Sequence, residues 1–465
     1  MAKSRDIDMI NGPILKNLIL FALPVMGLNV LQVIFHATDV AVLGIFSSDN
    51  SVAAVGATTN LINLFINFFT GFAIGASILI ARAVGEKDQL KARRLVGTSF
   101  FCSIILGAVL SVIMLVCAKQ FLTWMNCPES IIDMATLYIR VYFLGAPLIL
   151  LYTFSAVIMR SKGDTLRPLY FLIIGGVINI VLNVFFITVL NMDVVGVAIA
   201  TIISKATTAI LSIVVLIKSD GIVKFEKRHF RFYKQEVKEI IYLGLPTALQ
   251  SCLFSISNVL LSSVFNSFGE IAISGNTIGH QFDNMISNAL TGFNSGVLTF
   301  TSQNLGAKNY KRVWKVLGCS LILSSGLGIF LGVLVYLLGN ELCGLMTDSP
   351  EVIECATRRL RIMATTHFLS SIMTIFSNLL KAIKKPILSM IGSIFFTLIL
   401  RLVWLYTIFP LNPTLENYYI IYPITWMLCS SAFALISLPL LRKLQKNDEK
   451  ELLNKQGVEQ QEILS

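Results

Sequence analysis

Asp39, Lys205, Asp283 and Arg401 each interrupt a long apolar stretch of this 465-residue chain. His36 lies one helical turn before Asp39, and His280 stands in the same relation to Asp283. An ionised side chain at the centre of a bilayer costs roughly 2.5–3.5 kcal/mol on insertion scales, so each needs a partner or a wet cavity. A carboxylate in such a place can exchange a proton, hold a cation or meet a fixed cation. Amides and hydroxyls are the other oxygen donors that suit a hard cation or a protonated carboxyl. Asn179, Asn183 and Thr201 supply them in neighbouring apolar stretches.

The elements that must position these groups are transmembrane helices. Hydrophobic residues make up 55% of the chain, charged residues 14%, and mean hydropathy is +0.76. A soluble domain of this size would need a far more polar surface. Twelve apolar stretches are each long enough to cross a ~30 Å hydrocarbon core. They cover 14–46, 52–81, 94–118, 133–159, 168–190, 194–217, 239–267, 271–301, 313–338, 352–380, 386–409 and 417–441. The first is too long to read as a cleaved signal peptide. Counting inward at the ~1.5 Å helical rise, Asp39 lies about 14 Å deep and Asn183 and Thr201 about 12 Å. Asn179, one turn further in, lies about 18 Å deep on the same face as Asn183. Carboxylate, amides and hydroxyl thus share one layer. The competing reading is that the amides and the hydroxyl only stitch helices together.

Much of the chain is said twice, about 220 residues apart. Leu23-Pro24 returns as Leu245-Pro246, Thr70-Gly71-Phe72 as Thr291-Gly292-Phe293, Gly85 as Gly306 and Gly97 as Gly318. Pro128-Glu129, Ala135-Thr136 and Arg140 return as Pro350-Glu351, Ala356-Thr357 and Arg361. Duplicated membrane bundles are the usual build of secondary transporters.

The net charge of +11 invites a nucleic-acid reading, but its placement argues otherwise. Thirty of the 37 Lys and Arg fall at the termini and in every second loop. That is the positive-inside pattern, and it predicts both termini in the cytoplasm. Six spans per half is an even number, so the expected fold is an all-α polytopic membrane protein of two parallel six-helix repeats. The expected layout is an N-terminal bundle, 1–217, a basic cytoplasmic linker along the inner leaflet, 218–238, a C-terminal bundle, 239–445, and a polar tail, 446–465. The tail reads as disordered or as a short surface helix. The eight cysteines are scattered without a C-x-x-C pair; Cys127 and Cys343, near outer ends, leave a disulfide open. No phosphate-binding P-loop, H-E-x-x-H or G-x-S-x-G occurs, so the chain brings neither an ATPase nor a recognisable hydrolase site of its own.

The stretch LPVMGLNVLQVIFHATDVAVLG, with Pro24 and Asp39, resembles the first helix of the multidrug and toxic compound extrusion (MATE) family. RSKGDTLRP, Arg160 to Pro168, resembles the family signature between spans four and five. GVINIVLNVFFI and VGVAIATIIS resemble its fifth and sixth helices, and GFNSGVLTFTSQNLGAKNYKR the exit from its eighth. The resemblance covers about residues 10–445. It implies a central cleft between the halves and antiport of cationic or other amphiphilic compounds against H⁺ or Na⁺ by alternating access. No cofactor beyond the coupling ion is implied. Carried over, the family's first-half cation site falls on Asp39, Asn179, Asn183 and Thr201, the layer the depth count had grouped, with Na⁺ a possible occupant.

The chain departs from the family in its second half. The seventh span, LPTALQSCLFSISNVLL, has no acid, nor has the tenth from Thr366 to Leu380, and Lys381-Ala-Ile-Lys-Lys-Pro386 replaces the Gly-Asp-Thr signature. Coupling through the first half is therefore favoured. Asp283, His280, Lys205, Gln32 and His36 are candidates for the substrate cleft. The alternative for Asp283 is an internal salt bridge, with Arg401 the partner considered; Lys205 is a partner for Asp39 or a cleft-lining cation. The expected working unit is a monomer in the plasma membrane, with the lipid bilayer and a small amphiphile as partners and no nucleic acid. Two rivals are a flippase for a lipid-linked oligosaccharide, which would need a strongly basic cleft, and an intramembrane lipid-modifying enzyme, which would need clustered acids or histidines at one membrane face.

Overall fold

The computed structural model describes residues 6–219, 221–262 and 268–464. The expected end of the seventh span, 263–267, Asp220 of the linker, the first five residues and Ser465 lie outside them. The described chain is helical almost throughout. In the first repeat the helices are α1 (Ile14–Phe46), α2 (Asp49–Glu86), α3 (Gln89–Trp124), α4 (Glu129–Leu144), α5 (Ala146–Ser161), α6 (Leu166–Thr188) and α7 (Asp193–Ile217). The second has α8 (Lys234–Ser262), α9 (Glu270–Gly306), α10 (Tyr310–Leu337), the short α11 (Gly339–Gly344), α12 (Pro350–Ala382), α13 (Pro386–Ser393), α14 (Leu400–Thr407) and α15 (Leu415–Leu464). A π-helical turn, Ile394–Ile399, joins α13 to α14, so the eleventh expected span is one interrupted helix.

Among the described residues nine helices are long and apolar enough to cross a membrane, ten with the α4–α5 pair. That pair is the fourth expected span, bent by 53° at Gly145. Pro147, at the start of α5, lacks the N–H that would continue the α4 ladder, which explains the break. The remaining two expected spans are α9 and α12, of 37 and 33 residues. Their length suffices, but polar residues hold them below the apolarity of the others. Those polar residues face each other, as described below.

The duplication is visible in the turns. Lys87 closes α2 with φ 57° and Asp88 caps α3 by accepting from the Lys91 N–H. Lys308 follows α9 with φ 53° and Asn309 caps α10 by accepting from Arg312. The same left-handed residue and side-chain cap thus recur at equivalent positions.

By its internal packing the chain divides into two units, Met1–Asp8 with Ile19–Ser255, and Met9–Leu18 with Ile256–Ser465. In the first, the N–H of Ile7 bonds to the carbonyl of Gly163, and Lys162 lies 3.8 Å from Asp6. In the second, the carbonyl of Met9 accepts from Asn304 and from Arg312. The second unit has an apolar core of Ile286, Leu290, Val335, Cys343, Ala356, Leu360 and Ala364.

The polar tail is not loose. It continues the last span as one 50-residue helix, α15. Its Asp448 accepts from the Tyr310 hydroxyl at 2.5 Å, and Gln445 accepts from the Trp314 indole. The linker also packs against the protein. His229 is buried, and Phe225 bonds back to the end of α7. All eight cysteines are free, so Cys127 and Cys343 form no disulfide.

Candidate functional site

The first-half layer is assembled by close approach of α6 to its neighbours. A side chain at Gly176 would run into the ring of Phe35 on α1, and one at Gly175 would meet Thr208 of α7 at 2.5 Å. Ser204 donates to the Gly175 carbonyl at 2.7 Å, tying α7 to α6. One turn further along α6 comes Asn179, and two turns along comes Asn183. Each therefore reaches a neighbouring helix with a short amide side chain.

Asn183 Nδ2 donates to Asp39 Oδ1 at 2.5 Å. The same amide lies 3.4 Å from Asn179 Oδ1, and Asn179 Nδ2 donates to Thr201 Oγ1 at 3.3 Å. The Thr201 hydroxyl in turn donates a hydrogen bond to the Val197 carbonyl at 2.9 Å. The four expected residues thus form one chain of contacts from α1 through α6 to α7. Asn179, Asn183 and Thr201 are buried, and Asp39 is half-buried. Asn183 Oδ1 is buried without a hydrogen-bond partner, an amide oxygen left open as an acceptor or cation ligand. With Asp39, Asn179 Oδ1 and Thr201 Oγ1 it makes an all-oxygen set, which fits a proton or a hard monovalent cation.

Asp39 has no cation within 4 Å among the described residues. Lys205 acts on it electrostatically without an ion-pair contact, its ammonium lying 5.2 Å over the Tyr152 ring. Two groups missed in the sequence belong to this neighbourhood. The phenols of Tyr138 and Tyr142 on α4 interact with the Asp39 charge, and their rings lie 6.0 Å apart. Their i, i+4 spacing is a signal that marks one helix face. Gln32 and His36 are exposed on α1.

The second half is built differently. Asp283 is buried and receives Arg359 twice, from Nε and from Nη2, both at 2.7 Å. A third Arg359 nitrogen donates to Asn276 Oδ1, and the guanidinium lies 5.5 Å over the Tyr419 ring. Asp283 Oδ1 faces His367 Nε2 at 3.9 Å. The salt-bridge alternative for Asp283 therefore has a partner, but it is Arg359 and not Arg401. Arg401 is fully buried elsewhere, donating to Thr425 Oγ1 at 3.1 Å and stacked 4.3 Å over Tyr422. His280 is exposed and contacts Asn284 on its own helix. The signal for this cluster lay in α9 and α12: Asn276 and Asp283 are seven apart, and Arg359 and His367 eight apart, so each pair shares a face.

An all-α membrane chain of two equivalent halves, with a buried acid-and-amide layer in one, defines a multi-pass transporter of the duplicated type. The MatE family model matches it twice, over residues 24–185 and 246–407, starting at the repeated prolines. The chain belongs to the MatE family. It is 28% identical over 374 residues to the probable multidrug resistance protein YoeA of Bacillus subtilis (strain 168), covering 79% of this chain and 81% of that one. It is 24% identical over 371 residues to the multidrug export protein MepA of Staphylococcus aureus (strain MSSA476), covering 80% and 82%. A crystal structure of a MATE protein in the bent conformation shares the fold, with a TM-score of 0.88 over 96% of this chain and 99% of that one, at 24% identity. So does a MOP superfamily transporter from Pyrococcus furiosus, with a TM-score of 0.87 over 96% and 100%, at 23% identity.

Proposed function

We propose that this protein is a multidrug efflux antiporter, exporting cationic amphiphilic compounds by alternating access in exchange for H⁺ or Na⁺ bound at Asp39, Asn179, Asn183 and Thr201. The observation that carries the proposal is the Asp39 carboxylate, held by the Asn183 amide within a span and paired with no fixed cation. The names of the relatives, multidrug resistance and export proteins, support the substrate class. The Lys and Arg asymmetry supports a cell-membrane orientation with both termini in the cytoplasm.

The chemistry follows from what a proton does to the layer. Ionised Asp39 accepts a charge-assisted hydrogen bond from Asn183, worth about 1.5–3 kcal/mol. Protonation leaves a neutral pair worth about 0.5–1.5 kcal/mol, so proton arrival loosens α1 from α6. Sodium would act by a different route, drawing Asp39, Asn183 Oδ1 and Asn179 Oδ1 onto one ion. A flippase needs an open basic lining, and the buried, Thr425-bound Arg401 is poorly placed to provide one.

The test is dye efflux in everted vesicles, with pH and Na⁺ gradients imposed separately. A cationic fluorescent dye should accumulate under one gradient and dissipate when that gradient is collapsed. Accumulation that ignores both gradients would overturn the antiport reading.

A further inference from the structure

The linker between the repeats carries a second cluster of charge that transport chemistry does not use. It lies directly against α3: a side chain at Gly97 would collide with the backbone carbonyl of His229. Aromatic rings hold it there. Phe225 packs on Phe100 with ring centres 5.1 Å apart, and Phe230 and Phe232 pack on Phe101 at 5.7 and 6.4 Å. Phe232 nonetheless stays 58% exposed and Phe230 39%.

Arg93, Arg94, Arg228 and Arg231 meet at this junction, and Glu226 is the one carboxylate among the described residues that pairs with any of them. Arg93 and Arg228 take it, reaching Glu226 at 2.6 and 2.7 Å. Burial works against the ionised Glu226, but the Arg228 hydrogen bond and the charges of Arg93 and Arg228 prevail and hold it below the usual carboxylate range. Burial and the neighbouring arginine charges hold the His229 imidazole below its ordinary value, against the pull of Glu226 3.7 Å away. Arg94 and Arg231 are left over. Both lie over the Tyr233 ring, with guanidinium carbons 5.4 and 4.6 Å from its centre, and neither meets a carboxylate among the described residues. The Tyr233 hydroxyl is fixed by His229 Nδ1 at 2.8 Å, and Arg94 Nε is buried without an acceptor.

We infer that Arg94 and Arg231, oriented by Tyr233 beside exposed Phe232, bind the phosphate headgroup of an anionic phospholipid. Guanidinium forks match phosphate oxygens two at a time. Exposed aromatic rings next to cations are the pattern of a side chain set at the boundary between acyl chains and headgroups. The charge asymmetry places this face at the cytoplasmic leaflet, whose anionic lipids attract basic segments by about 1 kcal/mol per Lys or Arg. No equivalent close approach is found at Gly318, the counterpart of Gly97, which has nothing within 4 Å of where a side chain would start among the described residues. One site per chain is expected.

The experiment uses the full-length protein in nanodiscs of phosphatidylcholine, alone or with added phosphatidylglycerol. Native mass spectrometry counts retained lipid, and thermal unfolding reads stabilisation. Wild type should retain one more phosphatidylglycerol than R94Q/R231Q, and only wild type should gain thermal stability from that lipid. R231Q alone changes an exposed side chain and should lose most of the effect, whereas R228Q should keep it. Equal retention by wild type and R231Q overturns the proposal. Equal stabilisation by inorganic phosphate in phosphatidylcholine alone overturns the lipid assignment.

Discussion

Asp39 and Asp283 are both acids within helices of a duplicated bundle, yet the two halves treat them in opposite ways. Asp39 is half-buried and held by neutral amides, with its nearest interacting cation out of contact. Asp283 is buried and held by two bonds from one guanidinium, with a histidine on its other oxygen. A carboxylate held by neutral groups can change its charge at the cost of part of a hydrogen bond. One paired with a permanent cation cannot do so without stranding that cation in a medium where uncompensated charge costs several kcal/mol. On the proposed reading, exchange belongs to the first half and structure to the second.

The largest effect expected is at Asp39. Asp39→Asn keeps the shape and the Asn183 contact while removing the exchangeable charge, so gradient-driven dye efflux should fall to background with membrane expression unchanged. Efflux at the wild-type rate would remove the first half from the coupling mechanism.

The second half should fail in another way. Arg359→Gln leaves Asp283 buried and unpaired, and breaking a buried pair from one side costs about 3–5 kcal/mol. Thermal unfolding in detergent should show a large loss, much of it recovered when Asp283→Asn is added. Efflux of cationic and neutral compounds should fall together, in step with stability. A stable Arg359→Gln protein that loses only cationic substrates would return Asp283 to the substrate path.

Why the first half was readable and the second was not follows from where the partners sit. Asp39, Asn179, Asn183 and Thr201 each stand alone in apolar sequence, so a depth count from the outer loops groups them. Arg359 stands inside Arg358-Arg359-Leu360-Arg361, which reads as a basic helix end, and only packing separates its members. Arg358 turns outward to Glu354 and Glu416, whereas Arg359 turns inward to Asp283. Spans were legible by hydropathy except where polar faces meet polar faces, as in α9 and α12. The bend at Gly145 had a signal in Pro147, which the continuous apolar run around it masked, whereas the π turn before Arg401 arises from local backbone adjustment and leaves no period in the sequence.

A smaller effect is expected from the amides. Replacing both Asn179 and Asn183 by Ala removes the donor to Asp39 and two oxygen ligands but leaves the carboxylate. The pH or Na⁺ dependence of efflux should change more than dye binding measured in de-energised membranes. A drop in thermal stability alone would mean that the amides only join α6 to its neighbours.

The smallest effect is expected at Lys205, and its sign is fixed by electrostatics. A positive charge nearby favours the ionised form of a carboxyl over the protonated one. Lys205→Gln removes the charge, and proton release then requires a higher pH. The limb of the efflux–pH profile set by that release should move in the alkaline direction. The shift is modest because Lys205 makes no ion-pair contact with Asp39 and its ammonium is held over Tyr152. Tyr152→Leu frees the ammonium without removing it, so the profile should move less than in Lys205→Gln. A profile that Lys205→Gln leaves in place would show that Asp39 feels no cation at all, which would widen the contrast with Asp283. An acid shift would mean that Lys205 holds another anion, and the first half would then have a fixed ion pair of its own.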